Sequence, residues 1–521
     1  MSGPAPSFRI RLSWLHAWPG FIAGLFLICI FISGSLSEFD TEITRWMQPE
    51  FRPSAAPPSP AALDRAGVLL AEKTQGGRRG MISLPGPRDP ALRVIYADRG
   101  ERAEVILSPE DGHVVQVRET AGGMLFFAFH HHLNMGRVWG SNLTTALGVA
   151  LVVILVSGLI LQLKALLPEL MLFRPGAQTR RAWLDGHLML AVLALPFYIL
   201  MAWTGSLIHA ERFFPGVGAE RPPAQMQEAR SAPSRDMSGA GRHGHDGRRA
   251  RAGEGGGHAP AASLASILAD ARGLMGETGP GRVQIARDRI SVMQADGHLP
   301  GPGGLRLDYD RVSGARLKTP PAQDAMAQTR QTLSALHMGH WESLPVRWLY
   351  FLLGLAGAGM MAAGMTLFLI RRRQENRAVQ SVPLRMGEAL LMTSAGGMPL
   401  ACLAVFWANR LIPAGMEGRA GMEGLVFNSV WTACLVYCLF RAFSGRTRRG
   451  WHDLMLLTGL AGLTLPVLDI ATGGRLPVHG DFVFAAVDLT GFVCGAAALR
   501  LASFLRRKVG AVYPVMQERA A

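Results

Sequence analysis

Eight blocks of roughly twenty apolar residues constrain the fold of this chain more than any other feature of its sequence. A helix of about twenty apolar residues is long enough to cross the hydrocarbon core of a bilayer, which is about 30 Å thick. Of the 521 residues, 49% are hydrophobic and 17% are charged. The sequence therefore predicts a mainly α membrane protein with eight transmembrane helices, at 17–38, 143–163, 187–209, 348–370, 387–410, 424–442, 453–471 and 483–504.

The positive charges indicate how these helices are oriented. Lysine and arginine residues are concentrated in the short loops 164–183, 371–385 and 441–449, and short loops of this kind stay on the cytoplasmic side. Both termini are therefore predicted to be cytoplasmic, with the long segments 39–129 and 210–336 outside. This topology explains the net charge of +15, and no nucleic-acid partner is predicted. All five cysteines fall inside spans and form no CxxC pair, so neither an external disulfide nor a cysteine metal site is indicated.

The two external segments share one pattern, in which a helical stretch precedes three strand-like runs. The helical stretches are 61–72 and 261–275, and the runs are 92–96, 104–107 and 113–117 in the first segment and 282–285, 289–293 and 305–310 in the second. The chain is therefore predicted to be duplicated as helix, external α+β unit and helix, twice over. Segment 216–260 is rich in Gly, Pro and Arg, which favours a disordered loop over a metal site at its histidines.

These patterns predict six regions along the chain. They are a first transmembrane helix at 1–38, an external unit at 39–129, two helices at 130–209, a second external unit with the disordered insertion at 210–336, a fourth helix at 337–373 and a four-helix extension at 374–521.

A histidine occupies the same place at the start of two predicted spans. His16 is followed eighteen residues later by Gly34, within Ser-Gly-Ser-Leu, and His187 is followed eighteen residues later by Gly205, within Thr-Gly-Ser-Leu. Eighteen residues make five helical turns, a rise of roughly 27 Å. Each helix therefore carries a histidine at its inner end and a glycine near its outer end. A single histidine there is more often an interfacial residue, but the repeated pattern favours a ligand inside the bundle.

A second layer of histidines is predicted at the outer face, and its members are His130, His131, His132, His209, His337 and His340. His130 and His337 precede the second and fourth spans at equivalent places in the two halves, so we pair these two. His209 is a rival for the same role, because it lies only about 40° around its helix from the stripe of His187.

Two opposed imidazoles between helices are the ligand set of a haem iron that transfers electrons and has no open position for oxygen chemistry. Zinc would require three or four ligands, and the inner layer offers no such set. The sequence therefore predicts two haems in one four-helix bundle, with His16 and His187 as axial ligands of the inner haem and His130 and His337 as those of the outer haem.

Four glycines fit the same hypothesis. A porphyrin that packs flat against a helix needs a position without a Cβ atom. We expect Gly34 and Gly205 to lie beneath the outer porphyrin, and Gly158 and Gly364 to do the same for the inner porphyrin.

Four stretches of the chain also resemble a known family. They are RLSWLHAWPGFIAGLFLICIFISGSLSEFDTEITRW at 11–46, FHHHLNMG at 129–136, WLDGHLMLAVLALPFYILMAWTGSL at 183–207 and LHMGHWESLPVRWLYFLLGLAGAGMMAAGMTLFLIRRR at 336–373. They are similar to PepSY-associated transmembrane proteins, iron-regulated inner-membrane proteins that include ferric-siderophore reductases. The resemblance covers about residues 8–373 and implies haem b at the histidines, PepSY-like external units and a bacterial inner-membrane location. The last four spans lie outside it, and the sequence assigns them no role.

The leading functional hypothesis is a di-haem b oxidoreductase that reduces a periplasmic ferric chelate, such as a ferric siderophore, and so releases iron. The cytoplasmic loops are too short to fold a flavin or nicotinamide domain, so the electron donor is expected to be a membrane quinol or a separate cytoplasmic reductase. Arginines of the external segments are candidates for attracting an anionic chelate: Arg88, Arg93, Arg99, Arg102, Arg306, Arg311 and Arg316.

Two other classes of function remain open from the sequence. One is a non-enzymatic membrane protein whose external units bind or restrain a partner, for which the aligned histidines would be incidental. The other is a transporter of a metal or chelate, which predicts charged or broken helices at mid-membrane. Pro196 is the clearest break in the first four spans, and Asp469 and Asp488 are the candidate buried carboxylates of the last four.

Overall fold

The structure, a computed structural model, describes residues 7–54, 56–74, 80–98, 101–163, 179–208, 262–286, 288–295, 304–317, 325–339, 343–375, 381–473 and 482–507. The predicted disordered loop at 216–260 lies outside these ranges, as do His209 and His340.

The described chain is mainly helical and contains one antiparallel sheet. The helices are α1 (Phe8–Ser37), α2 (Asp40–Met47), α3 (Pro60–Lys73), α4 (Met124–His132), α5 (Arg137–Gln162), α6 (Thr179–Leu193), α7 (Leu195–Ile208), α8 (Leu264–Met275), α9 (Ala325–Met338), α10 (Leu344–Glu375), α11 (Val382–Met392), α12 (Met398–Leu411), α13 (Arg419–Phe443), α14 (Thr447–Leu463), α15 (Leu465–Ala471) and α16 (Phe482–Arg507). The strands are β1 (Gly80–Ser83), β2 (Leu92–Asp98), β3 (Glu101–Leu107), β4 (Val114–Val115), β5 (Pro280–Ile285), β6 (Arg289–Gln294) and β7 (Arg306–Asp310).

Helices cover all eight predicted spans, and the chain is a multi-pass membrane protein. In the described ranges, seven helices are long and apolar enough to cross a bilayer; α11 and α12 count as one, joined by a π-helical turn at 393–397, and so do α14 and α15. The remaining predicted span is a pair, α6 and α7, bent by 66°. Pro196 lies just after this break. It explains the bend, because proline lacks a backbone N–H and clashes with the preceding helical turn.

Four spans surround a common interior. α1 packs against α5 and α10, α10 packs against α6, and α5 packs against α7. Two shorter helices complete the outer end of this bundle: α4 lies against α1 and α5, and α9 lies against α7. The two halves of the duplication therefore lie side by side, with α1 and α5 of the first half against α10 and α7 of the second.

The two external units form one sheet rather than two. The strand order is β4-β3-β2-β1-β5-β6-β7, and every pairing is antiparallel. The halves meet where β1 pairs with β5, with Ile82 opposite Val283. Helices α3 and α8 cover one face, and their core residues Leu70 and Leu268 are buried in the same apolar cluster as both seam residues. The sequence did not predict β1, because four residues are too few to show an alternating pattern.

Candidate functional site

The inner pair of histidines meets between two helices of the bundle. His16 lies on α1 and His187 on α6, and the centroids of their rings are 6.3 Å apart with an angle of 70° between the ring planes. The structure thus brings together the two residues that the repeated motif selects.

The outer pair has the same spacing. His130 lies near the end of α4 and His337 near the end of α9, and their ring centroids are also 6.3 Å apart, with 38° between the planes. Each pair therefore takes one histidine from each half of the duplication.

A separation of 6.3 Å fits a single metal ion between the two rings. Metal–imidazole bonds are about 2.0–2.1 Å long and a ring nitrogen lies about 1.1 Å from its ring centroid, so two rings on opposite sides of one metal have centroids about 6.2–6.4 Å apart. In the described ranges, no group of three or more His, Cys, Asp or Glu side chains could hold a metal ion. The geometry thus suits a metal with two axial protein ligands, as in a haem, and does not suit a zinc centre.

The hydrogen bonds of three histidines determine which nitrogen is free. Their Nδ1 atoms lie against backbone carbonyl oxygens: His16 at 3.0 Å from Ile154 O, His130 at 2.8 Å from Ile30 O and His187 at 2.8 Å from Met360 O. Because a carbonyl oxygen only accepts, each Nδ1 carries the proton and each Nε2 keeps its lone pair. A neutral imidazole with a free Nε2 is the form that binds a metal.

His337 reaches the same state through a side chain. Its Nδ1 lies 3.0 Å from the hydroxyl oxygen of Thr204. That hydroxyl donates its own proton to Leu200 O at 2.6 Å, so it accepts from His337. The bond places the proton on Nδ1 of His337 and leaves Nε2 unprotonated, and a partner on one ring nitrogen fixes the orientation of a ligand that binds through the other.

Each imidazole also lies against one of the four predicted glycines. A Cβ atom on the glycine would come within 2.6–2.8 Å of the imidazole Cε1 atom in every case, and the pairs are Gly158 with His16, Gly364 with His187, Gly34 with His130 and Gly205 with His337. The expectation that these glycines make room for a porphyrin face was therefore incomplete, because the space in front of each is taken by a histidine ring.

Both histidine pairs line cavities within the bundle. The inner cavity has a volume of about 1500 Å³ and the outer about 1140 Å³, including their open mouths. Apart from the histidines, most of the lining is apolar, with Phe21, Leu188 and Met361 in the inner cavity and Leu27, Phe31 and Phe197 in the outer one. A largely apolar cavity therefore lies beside each pair.

The bend between α6 and α7 shapes the inner cavity. Val192 and Leu195, which flank the break, both line it. The broken helix, a feature expected of a transporter, thus forms part of the wall of the inner cavity.

Burial favours the neutral form of His130. Burial lowers the pKa of this imidazole, and its hydrogen bond to Ile30 O only partly opposes that effect. A lowered pKa keeps the ring available as a metal ligand at neutral pH.

The remaining histidines of the outer layer take different places. His131 lines the outer cavity and stacks on Phe127 with centroids 5.9 Å apart. His132 has a buried Nδ1 with no hydrogen-bond partner among the described residues. His209, the predicted rival, and His340 lie outside the described residues.

A buried cluster of charges lies where α1 and α2 meet α10, next to Glu38, which lines the outer cavity. Arg347 on α10 forms a 2.6 Å ion pair with Glu42, and its guanidinium also donates to Glu38 O. Arg88, from the loop before β2, joins both Glu42 and Asp40 at 3.1 Å. Burial raises the pKa of Glu42, but the bonds and charges of the two arginines outweigh burial and hold this pKa below its ordinary value. The cluster fixes the junction of α1 and α2 against α10.

Glu38 contributes its side chain to the outer cavity itself. Its Oε2 atom is buried and has no hydrogen-bond partner among the described residues. One carboxyl side chain thus lines the outer cavity beside the histidine pair.

The structure removes two of the candidate arginines from the external surface. Arg88 belongs to the cluster just described, and Arg93 is only 4% exposed and is paired with Asp89 and Glu104. Arg306, Arg311 and Arg316 remain: about half of the side chain is exposed in Arg306 and in Arg316, and Arg311 is half-buried. Arg99 and the side chain of Arg102 lie outside the described residues.

Comparison with known proteins identifies the family. The sequence profile of the PepSY-associated TM region matches residues 13–371. The chain belongs to this family. The match includes all four histidines of the two pairs and ends before α11, so the four C-terminal spans of this PepSY-associated membrane protein lie beyond it. No curated protein matches the chain.

Sequence reasoning missed the acceptors that hold the histidines. Three of them are backbone carbonyls, at Ile30, Ile154 and Met360, each four residues before the glycine that faces the same ring. In the sequence, only this four-residue spacing could have identified these acceptors, because every residue type has a backbone carbonyl. Thr204 belongs to the repeated motif, but only the folded structure shows that it accepts a hydrogen bond from His337.

Proposed function

We propose that this protein is a di-haem b oxidoreductase of the bacterial inner membrane, which passes electrons outward across the bilayer to reduce a ferric chelate, such as a ferric siderophore, in the periplasm. His16 and His187 would hold the inner haem, and His130 and His337 the outer haem. Haem bound by two histidines supplies one-electron transfer without an open coordination position. Reduction of chelated Fe³⁺ to Fe²⁺ takes one electron and weakens the hold of hard oxygen ligands, so the iron is released.

The observation that carries the proposal is the matched geometry of the two histidine pairs. Both have centroids 6.3 Å apart, and in both the Nδ1 atoms lie against hydrogen-bond acceptors, so the Nε2 atoms would be the ones to bind a metal. Incidental interfacial histidines have no reason to share a spacing, a tautomer and a glycine contact at both ends of one bundle. A binding or regulatory protein would need none of these features.

The chain's own residues define what each cavity can do. The carbonyl and hydroxyl acceptors hold the imidazoles in one orientation, and the largely apolar lining of each cavity would suit the faces of a porphyrin. The positive-inside arrangement of the loops supports cytoplasmic termini and an external sheet. Electrons would then enter at the side of His16 and His187, from a quinol or a cytoplasmic reductase, and leave at the side of His130 and His337.

The proposal is tested by oxidation of the reduced protein with a ferric chelate. Purified protein is reduced with dithionite under anaerobic conditions, freed of excess reductant and mixed with a ferric hydroxamate chelate, while haem absorbance and Fe²⁺ capture by ferrozine are followed. The gallium(III) chelate of the same ligand is the control, because it has the same charge and nearly the same size but cannot accept an electron under these conditions.

We expect the ferric chelate to reoxidise the protein and to yield Fe²⁺, and the gallium chelate to do neither. His130→Ala should abolish the fast reaction, because it removes the outer centre. A colourless protein from haem-replete cells, or reoxidation that is as fast in His130→Ala as in the unchanged protein, would contradict the proposal.

A further inference from the structure

The C-terminal helices pack directly on α4, the short helix that carries His130. Phe129, the residue before this ligand, has its ring 5.2 Å from that of Phe427 and 5.5 Å from that of Trp431, both on α13. Phe126 stacks on Phe406 of α12 at 6.0 Å. Phe126, Phe129 and Phe427 are at most 1% exposed. One side of α4 therefore rests on the C-terminal extension, while His130 on the helix faces the interior of the bundle.

Buried charges of the same extension hold the chain that leads into α4. Glu423 on α13 accepts hydrogen bonds from Thr120 Oγ1 at 2.7 Å and from the backbone N–H of Ala121 at 2.8 Å. Arg419, one helical turn earlier, pairs with Glu423 at 2.6 Å and donates to Glu119 O at 2.8 Å. Both charged side chains are fully buried. An exposed pair contributes little, whereas this buried pair has further hydrogen bonds to Thr120, Ala121 and Glu119, which offset part of the cost of burying both ions.

A second buried pair holds α2 to the extension. Arg410 at the end of α12 pairs with Asp469, donates to Trp46 O at 2.7 Å and lies 4.0 Å from the centroid of the Trp46 ring. Trp46 in turn donates to Asp488 on α16 at 3.0 Å. The carboxylates that the sequence suggested for a transport path are thus part of a contact between α2 and the extension.

α4 needs such support. It has only nine residues, and a helix of this length is unstable without tertiary packing. It ends at Leu133 and Asn134, which have φ values of 51° and 55°, a left-handed conformation that side chains other than glycine seldom adopt. Neither helical propensity nor the following turn therefore fixes the direction of the His130 ring.

We propose that the four C-terminal helices form a clamp that positions His130, with Phe427 and the Arg419–Glu423 pair as its positioning residues. The functional significance of the clamp rests on the proposed function, in which His130 is a ligand of the outer haem. The clamp itself is a contact that can be measured without haem. It assigns a role to the part of the chain that the family match leaves out.

The test replaces Phe427 in the full-length protein and follows each haem centre separately. His130→Ala and His187→Ala define the spectral bands of the outer and inner centres. Phe427→Ala removes the ring that supports Phe129, and Phe427→Leu is a milder change. Phe440→Ala is the matched control, because Phe440 lies on the same helix and is 61% exposed. Haem content, the reduction potential of each centre and hydrogen exchange of residues 124–132 are measured.

We expect Phe427→Ala to reduce haem affinity at the outer centre by roughly tenfold or more, the size of effect seen when groups that orient a metal ligand are lost. Its reduction potential should shift, the inner centre should stay unchanged, and amides of α4 should exchange faster. Phe427→Leu should restore most of each property, and Phe440→Ala should change none of them. If Phe427→Ala does not yield folded protein, an intermediate change in the outer centre of Phe427→Leu supports the clamp and an unchanged centre contradicts it.

The clamp is overturned if folded Phe427→Ala protein keeps the outer centre and the exchange of α4 unchanged, or if both centres change equally. Haem-free protein would contradict the proposed function, whereas the exchange of α4 would still decide whether the clamp exists.

Discussion

At the scale of single residues, each histidine is held by two features of one neighbouring helix. A glycine lets the ring approach the helix surface, and an oxygen of the same helix accepts from Nδ1. The two features act together, because a side chain at the glycine would push the ring away from its acceptor. The glycine of each pair is therefore as necessary to the proposed ligand set as the histidine.

Gly364→Ala is expected to weaken the inner centre. The new Cβ would lie 2.8 Å from the Cε1 atom of His187, so the ring must shift from its acceptor, and ligand affinity should fall by roughly 10–100-fold. Haem titration of the purified protein measures the change. Gly359→Ala on the same helix is the control, because its nearest neighbour would be an ordinary 3.5 Å contact with Leu190. Equal affinities in the two variants would contradict the expectation.

Thr204→Val is expected to weaken the outer centre. Valine keeps the shape of threonine but removes the hydroxyl that accepts from His337 Nδ1, so the ring loses this hydrogen bond and the reduction potential of the outer centre should shift. Thr204→Ser retains the hydroxyl and should behave like the unchanged protein. Spectroelectrochemical titration compares the three proteins, and a shift of the same size in Thr204→Ser would exclude the hydrogen bond as the cause.

At the scale of elements, the seam between β1 and β5 joins the two halves of the duplication. Ile82 and Val283 face each other across it, and neither is exposed. The sequence predicted most of the other strands and both covering helices, since their alternation is visible in a single chain. It did not predict that β1 pairs with β5, because the alternation of residues within a strand does not reveal which other strand it pairs with.

Ile82→Ala is expected to destabilise both halves of the sheet. Loss of this buried side chain should cost about 2–5 kcal/mol, and hydrogen exchange should rise in β6 as well as in β2. Val68→Ala on α3 is the control, because Val68 is 58% exposed and surface changes typically stay within about 0.5 kcal/mol. Faster exchange confined to β2 and β3 would mean that the halves unfold as separate units.

At the scale of the whole molecule, the duplication builds one bundle from two halves that lie side by side, and each histidine pair combines one residue from each half. The repeated motif predicted the pairing of His16 with His187, and equivalent positions predicted that of His130 with His337. The packing of the C-terminal helices on α4 was not predictable, because Phe427 and Glu423 belong to spans whose only visible signal is hydropathy. Their partners become apparent only in the folded chain.

The central claim is that two haems are bound between these histidine pairs, and the most direct measurement is the reduced-minus-oxidised absorption spectrum of the purified protein together with its haem content. The account predicts b-type bands, two haems per chain, and the loss of one haem in each of His187→Ala and His130→Ala, with different bands missing from the two variants. A protein from haem-replete cells without these bands, or variants that keep both haems, would contradict it.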